Sequence, residues 1–538
     1  MAKSSRYHTL NNSDPKNKRD FSEINLLLED PQEVDLTPTD IIIVNTDDKI
    51  PPQVGAGMIT TRTNRMIASM SAQSELVSIA VQSYNQLEKV KICVECILKY
   101  STNIDFELLL FDNGSTDGTL DYFKSIQYPR KKIIRVTKNV GSIVNFVFNH
   151  FSGRYLAYVM GDVCVTKNWL TNLLTCLKSD ETIGMVSPVA SNVSYQGADI
   201  SFSTLEEMHT KAAIHNISDP SLWNERLTLF PAVGLYRREA LELGGMLDAG
   251  FFHYLVDNDF SFRIRRAGYK LILCKDTFIH HNHDRSDPKE KDPEEARRSL
   301  EAGRRDFQNK FFGVDAWDDV NNFEPVIMSM IDPQEHKGNN IVEILGVDVL
   351  CGTPILEAKN KLREAHVNDA RLSAFTTKAK YWLDLKTICS EEVAVDQIQF
   401  LNQHFTDKRF DYVVLGIPIN AYQDPLGLLQ NLLKCLKDDG HLLLKLHNTF
   451  DILSLFKTLG AKINVNVDHV YRLSMDALID HVKNAGFIHN KLAVENWSIG
   501  EQDQTFLRKA ITTTGFSQNP DEVFARALVR DYVVDIAR

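Results

Sequence analysis

The chain has 538 residues, of which 43% are hydrophobic and 24% are charged. This is the composition of an ordinary globular protein, and the length predicts two or three domains. The formal net charge of −11 comes from acidic residues scattered along the chain, which argues against a nucleic-acid-binding face. No apolar run approaches the roughly 18 residues of a membrane span, and the N-terminus lacks an apolar signal core. The sequence therefore predicts a cytoplasmic protein without a transmembrane segment.

The eight cysteines are too sparse for a disulfide framework and are expected to be reduced thiols. Cys93 and Cys96 have the C-x-x-C spacing of some redox and zinc sites. They lie inside the apolar stretch KICVECILKY, however, which predicts a buried helix. A structural role is therefore favoured over zinc or redox chemistry.

Residues 1–74 are predicted to form a partly flexible N-terminal arm, with one short strand at Asp40–Val44. From Leu76 onward, the apolar runs LVSIAV, FELLLF, KIIRV and YLAYVM alternate with amphipathic stretches, one of which is a predicted helix reaching Phe151. This alternation predicts right-handed βαβ units and a parallel sheet. Ligands of such sheets bind at the carboxyl ends of the strands, so the residues after each run are the candidates for a site.

Polar residues follow three of these runs. Ser83 and Asn85 come after the first run, and Asp112 opens the stretch DNGSTDGT after the second. Asp112 is placed to accept hydrogen bonds from a base or ribose, although the stretch is equally explained as a tight turn that caps a helix. Asp162 ends the run YLAYVM, where a carboxylate can hold Mg²⁺ or Mn²⁺ against a diphosphate or can simply cap the next element.

Two later stretches carry further candidates. In LVDNDFSFRIRRAGY, Asp257 and Asp259 open a predicted helix, and either carboxylate is a candidate general base. In DTFIHHNHD, a predicted strand ends in His280, His281 and His283, which are candidate metal ligands. Isolated histidines are more often structural, but three near one strand end favour a site.

The order and spacing of these motifs resemble family 2 glycosyltransferases, which are inverting enzymes with the GT-A fold, over roughly residues 76–313. The matching pieces include VSIAVQSYN, FDNGSTDGT, the N-x-G of Asn139 to Gly141, YLAYVMGDV, VDNDFSFRIRRAGY and DTFIHH. The resemblance implies that five residues bind the donor: Ser83, Asn85, Asp112, Asn139 and Gly141. It implies metal binding by Asp162 and by His280 or His281, and a catalytic-base role for Asp257.

The resemblance implies a hexosyl- or N-acetylhexosaminyltransferase that uses Mn²⁺ or Mg²⁺ and a nucleotide sugar, with UDP-sugars favoured. The acceptor class stays open among a protein, a glycan and a lipid-linked molecule. The sequence departs from the family pattern in three places. Met160 stands where the metal motif often has an acidic or amide residue, Val256 replaces a usual Glu, and the stretch 139–153 is short.

Residues 341–495 resemble class I methyltransferases, with VDVLCGTP in the place of the glycine-rich cofactor loop. Leu350 and Pro354 occupy two positions where glycine is expected, and their side chains would crowd S-adenosylmethionine. No acidic residue suited to the ribose hydroxyls ends the second strand of this region. S-adenosylmethionine is therefore an unlikely cofactor, and a role in acceptor binding or assembly is favoured.

The predicted fold class is α/β throughout: a GT-A, Rossmann-like domain at 75–315, a linker at 316–338, a second Rossmann-like, methyltransferase-type domain at 339–497, and a helical extension at 498–538. Two alternatives stay open. One is a bifunctional glycosyltransferase and methyltransferase, and the other is a non-catalytic protein with two degenerate binding domains. A homo-oligomer is compatible with either.

Overall fold

The computed structural model describes residues 40–44, 64, 75–137, 139, 150–245, 247–248, 251, 254–283, 293–336, 341–367, 369–449, 470–514 and 519–538. Both regions contain strands that alternate with helices, which confirms the predicted α/β class. The strands are β1 (Asp40–Val44), β2 (Val77–Ser83), β3 (Phe106–Asp112), β4 (Lys131–Val136), β5 (Tyr155–Met160), β6 (Val163–Cys164), β7 (Ile183–Ser191), β8 (Trp223–Arg226), β9 (Val233–Arg237), β10 (Lys270–His281), β11 (Val342–Val347), β12 (Ala370–Thr376), β13 (Val393–Val395), β14 (Phe410–Leu415), β15 (Leu436–His447), β16 (Ile488–Asn496) and β17 (Val529–Ala537).

The helices are mostly short. They are α1 (Leu87–Tyr100), α2 (Thr119–Ser125), α3 (Trp169–Ser179), α4 (Leu205–His215), α5 (Arg238–Gly244), α6 (Val256–Arg266), α7 (Pro293–Lys310), α8 (Pro325–Met330), α9 (Thr353–Glu364), α10 (Trp382–Ile388), α11 (Leu401–His404), α12 (Pro425–Leu433), α13 (Met475–Asn484), α14 (Glu501–Thr514) and α15 (Pro520–Ala527). Within the described ranges, none of these helices combines the length and hydrophobicity that a bilayer span requires.

The chain packs as two compact units. The first comprises the described residues within 1–165 and 232–252, and the second comprises those within 166–231 and 253–538. The C-terminal part of the predicted glycosyltransferase region thus packs in one unit with the methyltransferase-like region. The predicted linker at 316–338 therefore does not mark a division in the packing.

The first unit is built on a largely parallel sheet in which β1, β4, β3, β2 and β5 lie side by side, followed by antiparallel β9. All residues of β3 are buried, as expected for a strand with helices on both faces. Cys93 and Cys96 lie buried and unbridged in α1, as predicted for that stretch. The short strand β1 is present and pairs with β4, a partner that the sequence does not reveal. The predicted helix that reaches Phe151 falls almost wholly outside the described residues.

The Asp117 carboxylate accepts hydrogen bonds at the N-termini of two helices of this unit. Asp117 Oδ2 accepts a hydrogen bond from the Leu87 N–H at the start of α1 (2.8 Å), and Asp117 Oδ1 accepts from the Thr119 N–H at the start of α2 (3.1 Å). An anionic side chain is favourable at a helix N-terminus because the orphan N–H groups point toward it. Burial alone would raise the pKa of Asp117, but these hydrogen bonds outweigh it and lower the pKa.

The second unit contains β7 and β10 in parallel, with β8 antiparallel to β10. It also contains a sheet in which β13, β12, β11, β14 and β15 are parallel, and β17 and β16 follow as antiparallel strands. The 498–538 segment, predicted as a helical extension, contains α14 and α15 but ends in β17. In VRDYVVDIA, residues Val533, Val534 and Ile536 are buried against the sheet, and this apolar surface favours the strand.

Polar contacts join β8 to helix α9 of the methyltransferase-like region. Asn360 is 1% exposed, and its side chain accepts from the Glu225 N–H and donates to the Glu225 carbonyl, both at 3.0 Å. Lys359 pairs with the Glu225 carboxylate at 2.9 Å, and Arg226 pairs with Glu357 at 2.8 Å. The amide of Asn360 thus satisfies the edge of β8 in the way that a neighbouring strand would.

A buried carboxylate makes the second connection between these regions. Asp384 in α10 is fully buried and pairs with Arg265 (3.0 Å) and Arg266 (2.8 Å) in the last turn of α6. Arg265 is also buried, and its Nε donates to the Leu227 carbonyl at 2.9 Å. Because desolvated charges are stable only with good partners, α6 and α10 are held in one relative position.

We expect Asp384→Ala to lower the free energy of unfolding by about 3–5 kcal/mol, because it leaves two desolvated guanidinium groups without their carboxylate. Urea unfolding followed by tryptophan fluorescence measures the change. The control is Asp121→Ala, which removes an exposed carboxylate 3.6 Å from Lys124 and should change the stability by less than about 1 kcal/mol. Equal effects of the two substitutions would contradict the structural role of Asp384.

Candidate functional site

A cleft of about 180 Å³ lies at the carboxyl ends of β2 and β5 in the first unit. It brings together three of the predicted positions, Ser83, Asn85 and Asp162. The sequence analysis did not select Tyr84, whose side chain is 46% exposed here, although its place directly after a strand was a signal. The cleft is lined by Gln82, Ser83, Tyr84, Asn85, Gln86, Val90, Tyr158, Met160, Gly161 and Asp162.

Gly161 allows the end of β5 to approach β2 closely. Its N–H donates to the Gln82 carbonyl at 2.8 Å, and a Cβ at this position would lie 2.7 Å from the same oxygen. A side chain would therefore separate the two strand ends. The glycine keeps the next residue, Asp162, at the wall of the cleft.

The DNGSTDGT stretch forms a tight turn around Asp112, which is fully buried. Asp112 Oδ1 accepts from the Ser115 N–H, and Asp112 Oδ2 pairs with Arg135, both at 2.8 Å. Ser115 Oγ accepts from the Asn85 N–H at 2.8 Å, and Asn85 Oδ1 accepts from the Thr116 N–H at 3.0 Å. The turn interpretation is thus realised, and Ser115 and Asn85 join the loops after β2 and β3. A direct contact of Asp112 with a nucleotide stays a prediction.

Asn139, another predicted donor position, is connected to this turn by a hydrogen bond. The Asn113 N–H donates to the Ser83 carbonyl, and Asn113 Nδ2 donates to Asn139 Oδ1, both at 2.8 Å. Asn139 is therefore linked through Asn113 to the loop after β2. Gly141 lies outside the described residues.

Asp257 lies in the first turn of α6, which begins after Leu255 at φ 69° and has no side-chain cap. Burial raises the pKa of the Asp257 carboxyl to about 6, although hydrogen bonds from its own N–H and from Asn258 act in the opposite direction. The neighbouring Asp259 is fully buried between Arg263 (2.8 Å) and Lys310 (2.5 Å). Burial of Asp257 thus brings the pKa of its carboxyl close to neutral pH.

The three histidines at the end of β10 differ in their surroundings. His280 Nδ1 lies 2.6 Å from Ser191 Oγ, and its ring meets Phe202 edge-on at 5.0 Å. The rings of His281 and His283 stack on each other at 5.4 Å with an interplanar angle of 24°. His281 and His283 therefore share one side of the strand end. His283 was one of the three candidate ligands in the sequence, whereas the family resemblance implied only His280 or His281.

In the methyltransferase-like region, the loop in the place of the cofactor loop has left-handed backbone conformations at two residues that are not glycine. Leu350 has a φ of 54° and Asp348 has a φ of 47°, both in the left-handed region that glycine favours. Asp348 accepts hydrogen bonds from the Thr377 N–H (2.6 Å) and from the Tyr422 hydroxyl (2.7 Å). Thr377 follows β12, where a methyltransferase would need a carboxylate for the ribose. The side chains of this strand edge are thus satisfied by one another.

The chain itself also satisfies the donors of this loop. The Cys351 N–H donates to the Asp319 carbonyl at 3.2 Å, and the Thr353 hydroxyl donates to the Val320 carbonyl at 2.5 Å. The Tyr381 hydroxyl donates to the Asp319 carboxylate at 2.9 Å. Residues 319–320 therefore lie against the loop on which a cofactor would have to rest.

Two family models match the chain. Glycosyl transferase family 2 matches residues 78–243, and a methyltransferase domain matches residues 330–488. Two of the curated relatives that match part of the chain are glycosyltransferases. An uncharacterized glycosyltransferase of Haemophilus influenzae is 30% identical over 112 residues, which are 20% of this chain and 34% of that protein. Glycosyltransferase AglE of Haloferax volcanii is 28% identical over 106 residues, which are 19% of this chain and 35% of that protein.

The matched segment spans about a third of the length of these curated relatives. Among solved structures, the mannosyltransferase PcManGT of Pyrobaculum calidifontis, in complex with GDP-Man and Mn²⁺, is 16% identical with a TM-score of 0.31, covering 43% of this chain and 66% of that chain. TarS of S. aureus, in complex with UDP-GlcNAc, gives the same values. By its family matches, the chain carries a glycosyltransferase family 2 domain followed by a methyltransferase-like domain.

Proposed function

We propose that this protein is an inverting glycosyltransferase that moves a hexosyl or N-acetylhexosaminyl group from a nucleotide diphosphate sugar to a protein, glycan or lipid-linked acceptor. The observation that carries the proposal is Asp257, a carboxyl group at a helix N-terminus with a pKa raised to about 6. A general base is most effective when its pKa lies near the working pH. The family match supplies the reaction class in which such a base is needed.

In the proposed reaction, the Asp257 carboxylate removes the proton from an acceptor hydroxyl. The hydroxyl oxygen attacks the anomeric carbon as the bond from that carbon to the diphosphate oxygen breaks. The nucleoside diphosphate leaves with the bonding electron pair, and the anomeric configuration inverts. The role of the protein is to align acceptor and donor and to present a base in the correct protonation state.

The donor is proposed to bind in the cleft at the ends of β2 and β5. Ser83 and Asn85 line this cleft, and the exposed ring of Tyr84 stands beside them. Asp112, in the turn after β3, and Asn139, which is hydrogen-bonded to that turn, are proposed to help bind the donor. A UDP-sugar is the favoured donor.

A divalent cation, Mn²⁺ or Mg²⁺, is proposed to bind Asp162 and His280 or His281, as the family resemblance implies. A donor set of carboxylate and imidazole is accepted by Mn²⁺ more readily than by Mg²⁺, which prefers oxygen ligands. Such a cation would supply positive charge to the departing diphosphate. His280 is the weaker candidate because its Nδ1 faces Ser191.

The methyltransferase-like domain is proposed to work without S-adenosylmethionine, as a support for the glycosyltransferase part and its acceptor. The support for this role is the set of contacts from α9 and α10 to β8 and α6. The cofactor loop is engaged by residues 319–320 instead.

Asp257→Asn should lower the rate of nucleoside diphosphate release at least about 100-fold while leaving donor binding intact, because only the proton transfer depends on the base. UDP release from UDP-sugars, with water as the acceptor, measures the rate. The wild-type rate should rise with pH through about 6, since the carboxylate must be deprotonated.

The same variant should be more stable than the wild type at pH 7.5. A raised carboxyl pKa means that the folded state binds the Asp257 proton more tightly than the unfolded state does. The free energy of unfolding therefore falls as the pH rises toward 6, and this loss is complete above 6. Asparagine carries no such proton, so the variant does not lose this stability. Asp121→Asn serves as the exposed control, and unchanged UDP release by Asp257→Asn would remove Asp257 from its role.

Calorimetry with S-adenosylmethionine should show no saturable heat at micromolar ligand. Residues 319–320 hydrogen-bond to the cofactor loop, and Leu350 carries a side chain where glycine is expected. S-adenosylhomocysteine is the second probe, since it lacks only the methyl group and its charge. Saturable binding of either compound would favour the bifunctional alternative.

A further inference from the structure

Three aromatic rings from distant parts of the sequence meet at the surface of the second unit. Tyr195, in the loop after β7, stacks on Phe323 with a centroid distance of 5.6 Å and an interplanar angle of 15°. Trp317 meets Tyr195 edge-on at 6.0 Å. The side chains of Tyr195 and Trp317 are 51% and 37% exposed. We call these three residues the aromatic platform.

The loop that carries Tyr195 is anchored by hydrogen bonds between the Gln196 side chain and the Phe230 backbone. Gln196 is buried, and its side chain accepts from the Phe230 N–H (2.5 Å) and donates to the Phe230 carbonyl (3.0 Å). Tyr195 itself has a φ of 62°, a conformation that costs a non-glycine residue on the order of 1 kcal/mol or more. The anchoring of Gln196 stabilises a backbone that turns the tyrosine ring outward, where it buries little apolar surface.

Trp317 is fixed by a second anchor. Asp315 Oδ1 accepts from the N–H groups of Trp317 and Asp318, both at 2.8 Å, and Asp315 Oδ2 accepts from Arg304 (3.1 Å) and Gln308 (2.7 Å). Burial acts to raise the pKa of Asp315, but these donors outweigh it and lower the pKa. The carboxylate therefore remains charged at neutral pH and holds the tryptophan in place.

The platform is continuous with the end of β10. Asn192, three residues before Tyr195, donates from Nδ2 to the His281 carbonyl at 3.0 Å. The ring of Phe230, whose backbone anchors Gln196, lies 6.0 Å from the His281 ring. The exposed rings thus adjoin the strand end that carries the proposed metal ligands.

Polar groups lie beside the rings. The Arg226 guanidinium lies over the Phe323 ring at 5.2 Å. The same guanidinium pairs with the Glu357 carboxylate at 2.8 Å. Rings with adjacent hydrogen-bonding groups match a pyranose, which has an apolar C–H face and a rim of hydroxyls.

We propose that the aromatic platform binds a carbohydrate, namely the glycan part of the acceptor. This rests on the proposed function and selects a glycan from the three acceptor classes that the sequence leaves open. Trp317 and Phe323 lie between the two matched family regions, at 78–243 and 330–488. The segment that joins the domains thus contributes to acceptor specificity.

The test is saturation-transfer NMR on the full chain with four tetrasaccharides: chitotetraose, cellotetraose, maltotetraose and α-mannotetraose. At least one should bind the wild type and bind Trp317→Ala and Tyr195→Ala about ten-fold or more weakly. Trp317→Phe, which keeps a ring, should restore part of the binding. The control is Phe506→Ala, which removes a 54% exposed ring in α14 and should bind like the wild type.

Circular dichroism of each variant separates loss of binding from loss of folding, and binding is compared only among folded variants. No binding by any of the four tetrasaccharides, or binding that survives both alanine substitutions, would overturn the platform. Donor binding is a separate readout. Glycan binding that depends on Trp317, in a protein that binds no nucleotide sugar, would support the platform and contradict the glycosyltransferase proposal.

Discussion

The buried ion pair between Asp384 and the two arginines Arg265 and Arg266 is the constraint on which the second unit depends. Helix α6 carries these arginines in its last turn and Asp257 in its first turn. A fully desolvated carboxylate with two guanidinium partners is costly to break, so α10 determines where the C-terminal end of α6 lies. The helix that presents the proposed base is thereby positioned by the methyltransferase-like domain.

This arrangement gives a physical reason why a methyltransferase-like domain can keep its core without its cofactor. The sheet core depends on apolar burial, which is complete in strands such as β11 and β14. At the strand ends, Asp348 is satisfied by Thr377 and Tyr422, and the loop donors are satisfied by residues 319–320. The same joining segment carries Trp317. If the domain works without S-adenosylmethionine, as proposed, these loop and strand-end groups serve internal packing.

The sequence predicts the local features well, because apolar runs and the polar residues that follow them depend on neighbouring residues alone. Asp162 is an example, since it was selected for its place after an apolar run and lies at the wall of a cleft. The contacts between distant residues were not predictable in this way. The pairing of Arg265 with Asp384 and of Tyr195 with Trp317 joins residues more than 100 positions apart with no shared pattern. The pairing of β1 and the strand at the C-terminus were missed for the same reason.

Nucleotide-sugar binding by the wild type and by Asp162→Ala tests the central claim most directly. Thermal unfolding is measured with UDP-GlcNAc, UDP-glucose, dTDP-glucose and GDP-mannose, each with Mn²⁺ and with EDTA. At least one donor should stabilise the wild type with Mn²⁺, by about 2.7 kcal/mol at 100 times its Kd. EDTA or Asp162→Ala should remove most of this stabilisation. If none of the four sugars stabilises the wild type, or if Asp162→Ala with Mn²⁺ is stabilised as much as the wild type, the account of a metal-assisted glycosyltransferase is contradicted.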